Sequence, residues 1–152
     1  MSITNLSIGE LIAKINNGEA FLNKVFADVG MLTIDSTIEV PAGIEMHFVF
    51  SLSGTRATEF YMYEAPTFTG GGVATIPNYK FSSTKTLATV LKSGVAVTNV
   101  GTLKFSGKVD DSATAIEGKV ILKSDTSYLT RTVSLLPVNT INLNVSVWEE
   151  TL

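Results

Sequence analysis

Ile141-Asn142-Leu143-Asn144-Val145-Ser146-Val147-Trp148 alternates without a break. Ile141, Leu143, Val145 and Val147 share one face, and Asn142, Asn144, Ser146 and Trp148 share the other. A period of two is that of a strand buried on one side only. A strand of this kind needs a second layer to cover its apolar face. The same pattern recurs upstream: Ile44, Met46, Phe48, Phe50 and Leu52 alternate with polar or smaller residues, and Ser53-Gly54 supplies a turn.

Working outward, strands are expected over Leu32 to Val40, Ile44 to Leu52, Ala57 to Glu64, Lys85 to Leu91, Thr102 to Val109, Glu117 to Lys123, Ser127 to Leu135 and Thr140 to Glu149. Pro41-Ala42-Gly43 and Ala65-Pro66 punctuate them. Thr67 to Pro77, with Gly70-Gly71-Gly72, reads as a long flexible loop. Many short strands separated by turn signals predict an all-β, antiparallel β-sandwich, jelly-roll-like. Gly18 to Gly30 is open to two readings, an extension of a helix or a first strand. Val25, Phe21 and Phe26 favour the strand.

One short N-terminal helix is expected. Ser7 and Glu10 have the spacing of a capping box. Ile8, Leu11, Ile12 and Ile15 then form one apolar stripe, and Asn16-Asn17-Gly18 ends it. This gives an arm and helix over residues 1–18 and a sandwich domain over 19–152. The helix has two readings, a cover closing the end of the sandwich or an arm docking on a neighbouring subunit.

The 152 residues suffice for one domain with its own core. Charged residues make up 16%, a low share. Either part of the surface is hidden in an assembly, or Thr, Ser and Asn supply the polarity. Net charge is −3, and Arg56 and Arg131 are the only arginines. With no basic stripe, nucleic acid is not expected as a partner. The chain has no cysteine, which fits folding in a reducing cytoplasm. The opening Met1-Ser2-Ile3-Thr4-Asn5-Leu6 lacks the basic residues and apolar run of a signal peptide, and no run approaches a membrane span. No membrane partner is expected.

Catalytic signatures are sparse. His47 is the sole histidine, lies opposite Met46, Phe48 and Phe50, and reads as a surface or interface residue. No nucleophile elbow or metal-spaced His pair accompanies it. Asp110-Asp111 falls well short of a calcium ligand set. Gly70-Gly71-Gly72 does not continue into a nucleotide-binding pattern. No catalytic residue, cofactor or metal is therefore expected. Phe60, Tyr61, Met62 and Tyr63 form two opposed pairs, one of which should be core and the other an interface or a second packed layer. The segments least explained by a sandwich are the apolar stripe Ile8, Leu11, Ile12, Ile15 and the triplet Gly70, Gly71, Gly72. These seven residues are the candidate partner-binding set.

Phe60-Tyr61-Met62-Tyr63-Glu64-Ala65-Pro66-Thr67 resembles a Tyr-Glu-Ala-Pro-Thr segment in a family of small virion structural proteins of tailed bacteriophages. Leu122-Lys123 followed by Tyr128-Leu129-Thr130-Arg131, and the closing strand with Trp148-Glu149, are similar to that family's later segments in the same order. The likeness runs over residues 44–149. It departs at Asn78-Tyr79-Lys80-Phe81-Ser82-Ser83, where an Arg- and Asn-rich run is replaced, so no arginine contacts carry over. The resemblance implies a head decoration protein on the outside of a capsid, assembled in the host cytoplasm, with the major capsid protein as partner. Fold-level analogy implies a homo-oligomer, a trimer. An alternative is a receptor- or glycan-binding module of a tail appendage.

Overall fold

The structure is a computed structural model, and it describes residues 5–29, 33–110, 115–136 and 138–152. A helix, α1 (Asn5–Asn16), precedes ten strands. These are β1 (Ala20–Val29), β2 (Thr33–Val40), β3 (Ile44–Gly54), β4 (Thr58–Glu64), β5 (Thr67–Val73), β6 (Val90–Asn99), β7 (Thr102–Val109), β8 (Ile116–Leu122), β9 (Thr126–Ser134) and β10 (Asn139–Thr151). One sheet has the order β1-β10-β3-β8, the other β5-β6-β2-β9-β4-β7.

The pairing follows a simple rule. β1 pairs with β10, β2 with β9, β3 with β8, β4 with β7 and β5 with β6, all antiparallel. Strand n thus pairs with strand 11 − n, as in one long two-stranded ribbon. The ribbon is rolled up, and β10–β3, β2–β6 and β4–β9 contacts stitch its turns together. Removing β5 and β6 leaves two four-stranded sheets, β1-β10-β3-β8 and β2-β9-β4-β7. That is a jelly roll, and β5–β6 is an extension at the tip of the rolled ribbon.

The core forms where the two inner faces meet. Ile141, Leu143, Val145 and Val147 point inward, with Met46, Phe48, Phe50 and Leu52 from the neighbouring strand. Phe60 and Met62 meet them from the opposite sheet. Of the two aromatic pairs, Phe60 and Met62 are therefore core, and Tyr61 and Tyr63 lie on the outer face. Phe50 centres the aromatic packing, 5.1 Å from Phe60 and 5.4 Å from Phe105 between ring centroids.

Three local readings need correction. Thr67 to Val73 is a strand, not a flexible loop. Its glycines accommodate a bend: Gly70, Gly71 and, opposite, Gly94 all have positive φ. A side chain at Gly71 would meet Val95 Cγ1 at 2.6 Å. Lys85 to Thr89 is not strand; β6 begins at Val90 and runs on to Asn99. Its distal half offers only Val95 and Val97 on one half-buried face, too short an alternation to show as a strand. Finally, α1 begins by Asn5, so Ser7 lies within its first turn. The C-terminal signal is accurate: Gly18 has φ 71°, and the amides of Gly18 and Glu19 donate to Ile15 O and Lys14 O in a Schellman motif.

Candidate interaction surface

The tip of the ribbon is the most exposed regular structure among the described residues. β6 pairs with β2 only over Val90 to Ser93. Beyond that, its partner is β5 alone. No residue of β5 is fully buried, and six of its seven are exposed, including Gly70, Gly71 and Gly72. A two-stranded ribbon this exposed gains little from burial. Its shape must come from its own ladder and from what anchors its ends.

The connection Ala74 to Thr89 supplies that anchorage. It runs from the edge of the six-stranded sheet to the edge of the other. Leu22 N donates to Pro77 O at 3.0 Å, and Tyr79 N donates to Ala20 O at 3.0 Å. Tyr79 Oη and Ser146 Oγ lie 2.7 Å apart. The Glu149 carboxylate accepts from Ala88 N, Thr89 N and Thr89 Oγ1 at 2.7, 3.1 and 3.0 Å. The same strap caps α1. Asn78 Nδ2 and Ser83 Oγ donate to Gly18 O, while Lys80 Nζ and Lys85 Nζ donate to Asn16 O and Asn17 O. Two ammonium groups thereby sit on the orphan carbonyls at the negative end of the helix.

The helix is docked on its own sandwich. Glu10 reaches Lys119 of β8 at 2.9 Å, and Lys14 reaches Glu150 of β10 at 2.9 Å. The Lys14 ammonium is held above its usual pKa, chiefly by its bond to Glu150. Of the predicted stripe, Leu11 and Ile15 are half-buried. Ile12 is 53% exposed. The side chain of Ile8 lies outside the described residues. The structure thus brings the C-terminal end of α1 together with the strap that closes the tip, while Ile12 and Gly70 to Gly72 are accessible.

His47 is a correction. It occupies the outer face as expected, but it is buried rather than a surface residue. Its ring stacks on Trp148 with centroids 5.1 Å apart, and Nε2 lies 3.3 Å from Glu45 Oε1. Lys119 Nζ stands 5.3 Å from the Trp148 ring. Alternation groups Trp148 with polar neighbours, yet it is buried. The outer face here is tied to α1 by Glu10–Lys119 and Lys14–Glu150, so residues of both alternating sets are buried. Asp110 is exposed and 3.7 Å from Lys108 Nζ; Asp111 lies outside the described residues. Among the described residues no cluster of three or more His, Asp or Glu could hold a metal ion. No helix among them is long and apolar enough to cross a membrane.

A second feature lies on the outer face of the six-stranded sheet. Tyr61 and Tyr63 stack at 6.1 Å, and the Tyr61 hydroxyl donates to Glu59. Beside them Arg131 grips Asp35 through two bonds of 2.8 and 2.9 Å.

Sequence reasoning missed Phe81, which is 93% exposed. Alternation would set it beside Tyr79. Instead Lys80 to Ser83 forms a turn, closed by Ser83 N donating to Lys80 O, and the ring faces solvent. The available signal was the pair Ser82-Ser83 following it, a turn composition. No protein-family model matches this chain, and no curated protein matches it.

Proposed function

We propose that this chain is a structural protein of a tailed-phage virion. It binds the outer surface of the head and stabilises contacts between major capsid protein subunits. The observation that carries this reading is the exposed tip: an anchored ribbon whose outer strand β5 is exposed at six of its seven positions and has no charged residue. Such an edge can pair its backbone with a neighbouring chain. The order of segments that resembles small phage virion proteins supports the same reading. A protein that binds only the assembled shell stabilises it by mass action, and symmetry repeats each weak contact many times. Contacts of this kind, mainly apolar and backbone-mediated, survive salt better than charge-driven ones.

The test replaces residues 67–99 with a short turn joining Pro66 to Val100, which leaves the eight-stranded jelly roll. Binding to heads lacking the protein is then measured at low and high salt. The expected result is a folded variant that no longer attaches. A folded variant that binds heads like the parent removes the tip from the interface.

The stacked Tyr61 and Tyr63 beside the Arg131–Asp35 fork favour one second reading, a glycan- or receptor-binding module of a tail appendage. Tyr61→Ala and Tyr63→Ala should abolish cell-surface binding under that reading and leave head attachment intact under the first.

A further inference from the structure

Phe81 is a knob held out in solvent by a rigid turn. Lys80 N donates to Asn78 Oδ1 at 2.9 Å, Ser83 N donates to Lys80 O at 2.8 Å, and Lys80, Ser83 and Asn78 all bond to the end of α1. An aromatic ring fixed before binding loses little freedom on docking, which is the property of an anchor residue.

The same strap borders a cavity of about 400 Å³. Phe21, Val73, Ile76, Leu87 and Leu91 give it apolar walls. It adjoins a smaller hollow, with which it shares Phe21, Lys85 and Thr86. That hollow carries the carboxylates of Glu19 and Glu149.

We propose that Phe81 inserts into this cavity on a second copy of the chain, reciprocally, about a two-fold axis. Knob and cavity belong to one patch: Ser83, two residues from Phe81, lines the cavity. A patch that carries both halves of a contact is self-complementary, as a two-fold interface requires. Charge agrees. Lys80 flanks the knob, and the hollow beside the cavity carries Glu149 and Glu19, the latter bridged by Lys14 and Lys85. At about 400 Å³ the cavity exceeds the volume of a phenyl ring, and Phe81 of the same chain is not among the residues that line it.

The test is sedimentation equilibrium on the purified full-length protein, without heads, so that it stands apart from capsid attachment. The parent should have the mass of two chains. Phe81→Ser removes the knob, and Thr86→Trp blocks the cavity mouth at an exposed threonine. Each variant alone should weaken association by about tenfold or more. Mixed together they should form a heterodimer, because one brings an intact cavity and the other an intact knob. Several outcomes overturn the proposal. These are a parent that is monomeric at every concentration, a mass other than two chains, a mass that Phe81→Ser leaves unchanged, or a mixture that fails to associate. If Phe81→Ser abolishes head binding without altering the mass, the ring anchors on the capsid and the self-association is likewise refuted.

Discussion

Replacing Glu149 with Ala should unlatch the strap that holds the tip. The carboxylate accepts three hydrogen bonds from Ala88 and Thr89, residues about sixty positions away in sequence. Ala88 is exposed, so water replaces its lost partner. Thr89 is buried, and its amide and hydroxyl would both be orphaned. Leaving buried donors unsatisfied costs about 1–3 kcal/mol each when the structure stays closed. The strap has a cheaper route, which is to open and hydrate them. The measured loss should therefore fall near 1–3 kcal/mol. It should be accompanied by faster amide exchange at Ala88 and Thr89 than in β10 or β3. Urea unfolding of parent and variant gives the first quantity, and native-state hydrogen exchange the second. A loss below about 0.5 kcal/mol, the range of ordinary surface changes, with unchanged protection at both amides would refute the latch.

Leu143→Ala in the middle of β10 should cost about 2–5 kcal/mol, because the side chain is buried in the core beside Leu52 of the adjoining strand; a loss under about 1 kcal/mol would contradict its inward register. Gly71→Ala should destabilise by about 1–2 kcal/mol from its φ of 86° alone, with the Val95 contact adding to it; an unchanged urea midpoint would mean the bend relaxes freely. Glu64 is held below its usual pKa, first by Lys123 and then by Lys104. Its folded-state pKa is lower than its unfolded one, so the stability it adds is whole above the ordinary carboxylate range and lost as pH falls through the lowered value. The stability difference between parent and Lys123→Met should accordingly shrink on acidification; a difference that is flat with pH rules out the pair as its source.

The body of the fold was legible because burial on one side imprints a period of two. Thr102 to Val109 is bounded as the pattern predicts, β3, β4, β8, β9 and β10 differ by a residue or two at their ends, and β2 ends at Val40 as expected, while Leu32, its expected start, lies outside the described residues. Legibility failed where that imprint is missing. β5 is exposed at every position but Phe68, so Thr67-Phe68-Thr69-Gly70-Gly71-Gly72-Val73 carries no alternation to read. His47 and Trp148 failed for the opposite reason: they stack on each other on a face to which α1 is tied by Glu10–Lys119 and Lys14–Glu150, contacts that strand periodicity cannot register. The candidate set was half visible for the same cause. Glycines announce an unusual backbone whatever they pair with, but Phe81 becomes conspicuous only once the turn at Lys80 to Ser83 is known to hold it away from Tyr79.

The four sheet edges separate the tip from the rest of the molecule. Among the described residues, β1, β8, β7 and β5 each have one side without a neighbouring strand. β1 contains Lys24 and Asp28 and is touched by the strap at Asn78. β8 contains Glu117 and Lys119, and β7 contains Lys104 and Lys108. Charges of this kind deter a second chain from adding to an edge. β5 contains none, and its side chains are small apart from Phe68, whose ring lies 5.8 Å from Lys92 Nζ of β6. The bend at Gly70 and Gly71 limits how many residues a straight strand could pair there, so this edge admits a partner shaped to it more readily than an arbitrary one. An unguarded edge that is also anchored at both ends combines two properties that docking needs: open backbone groups, and little freedom left to lose when they are filled.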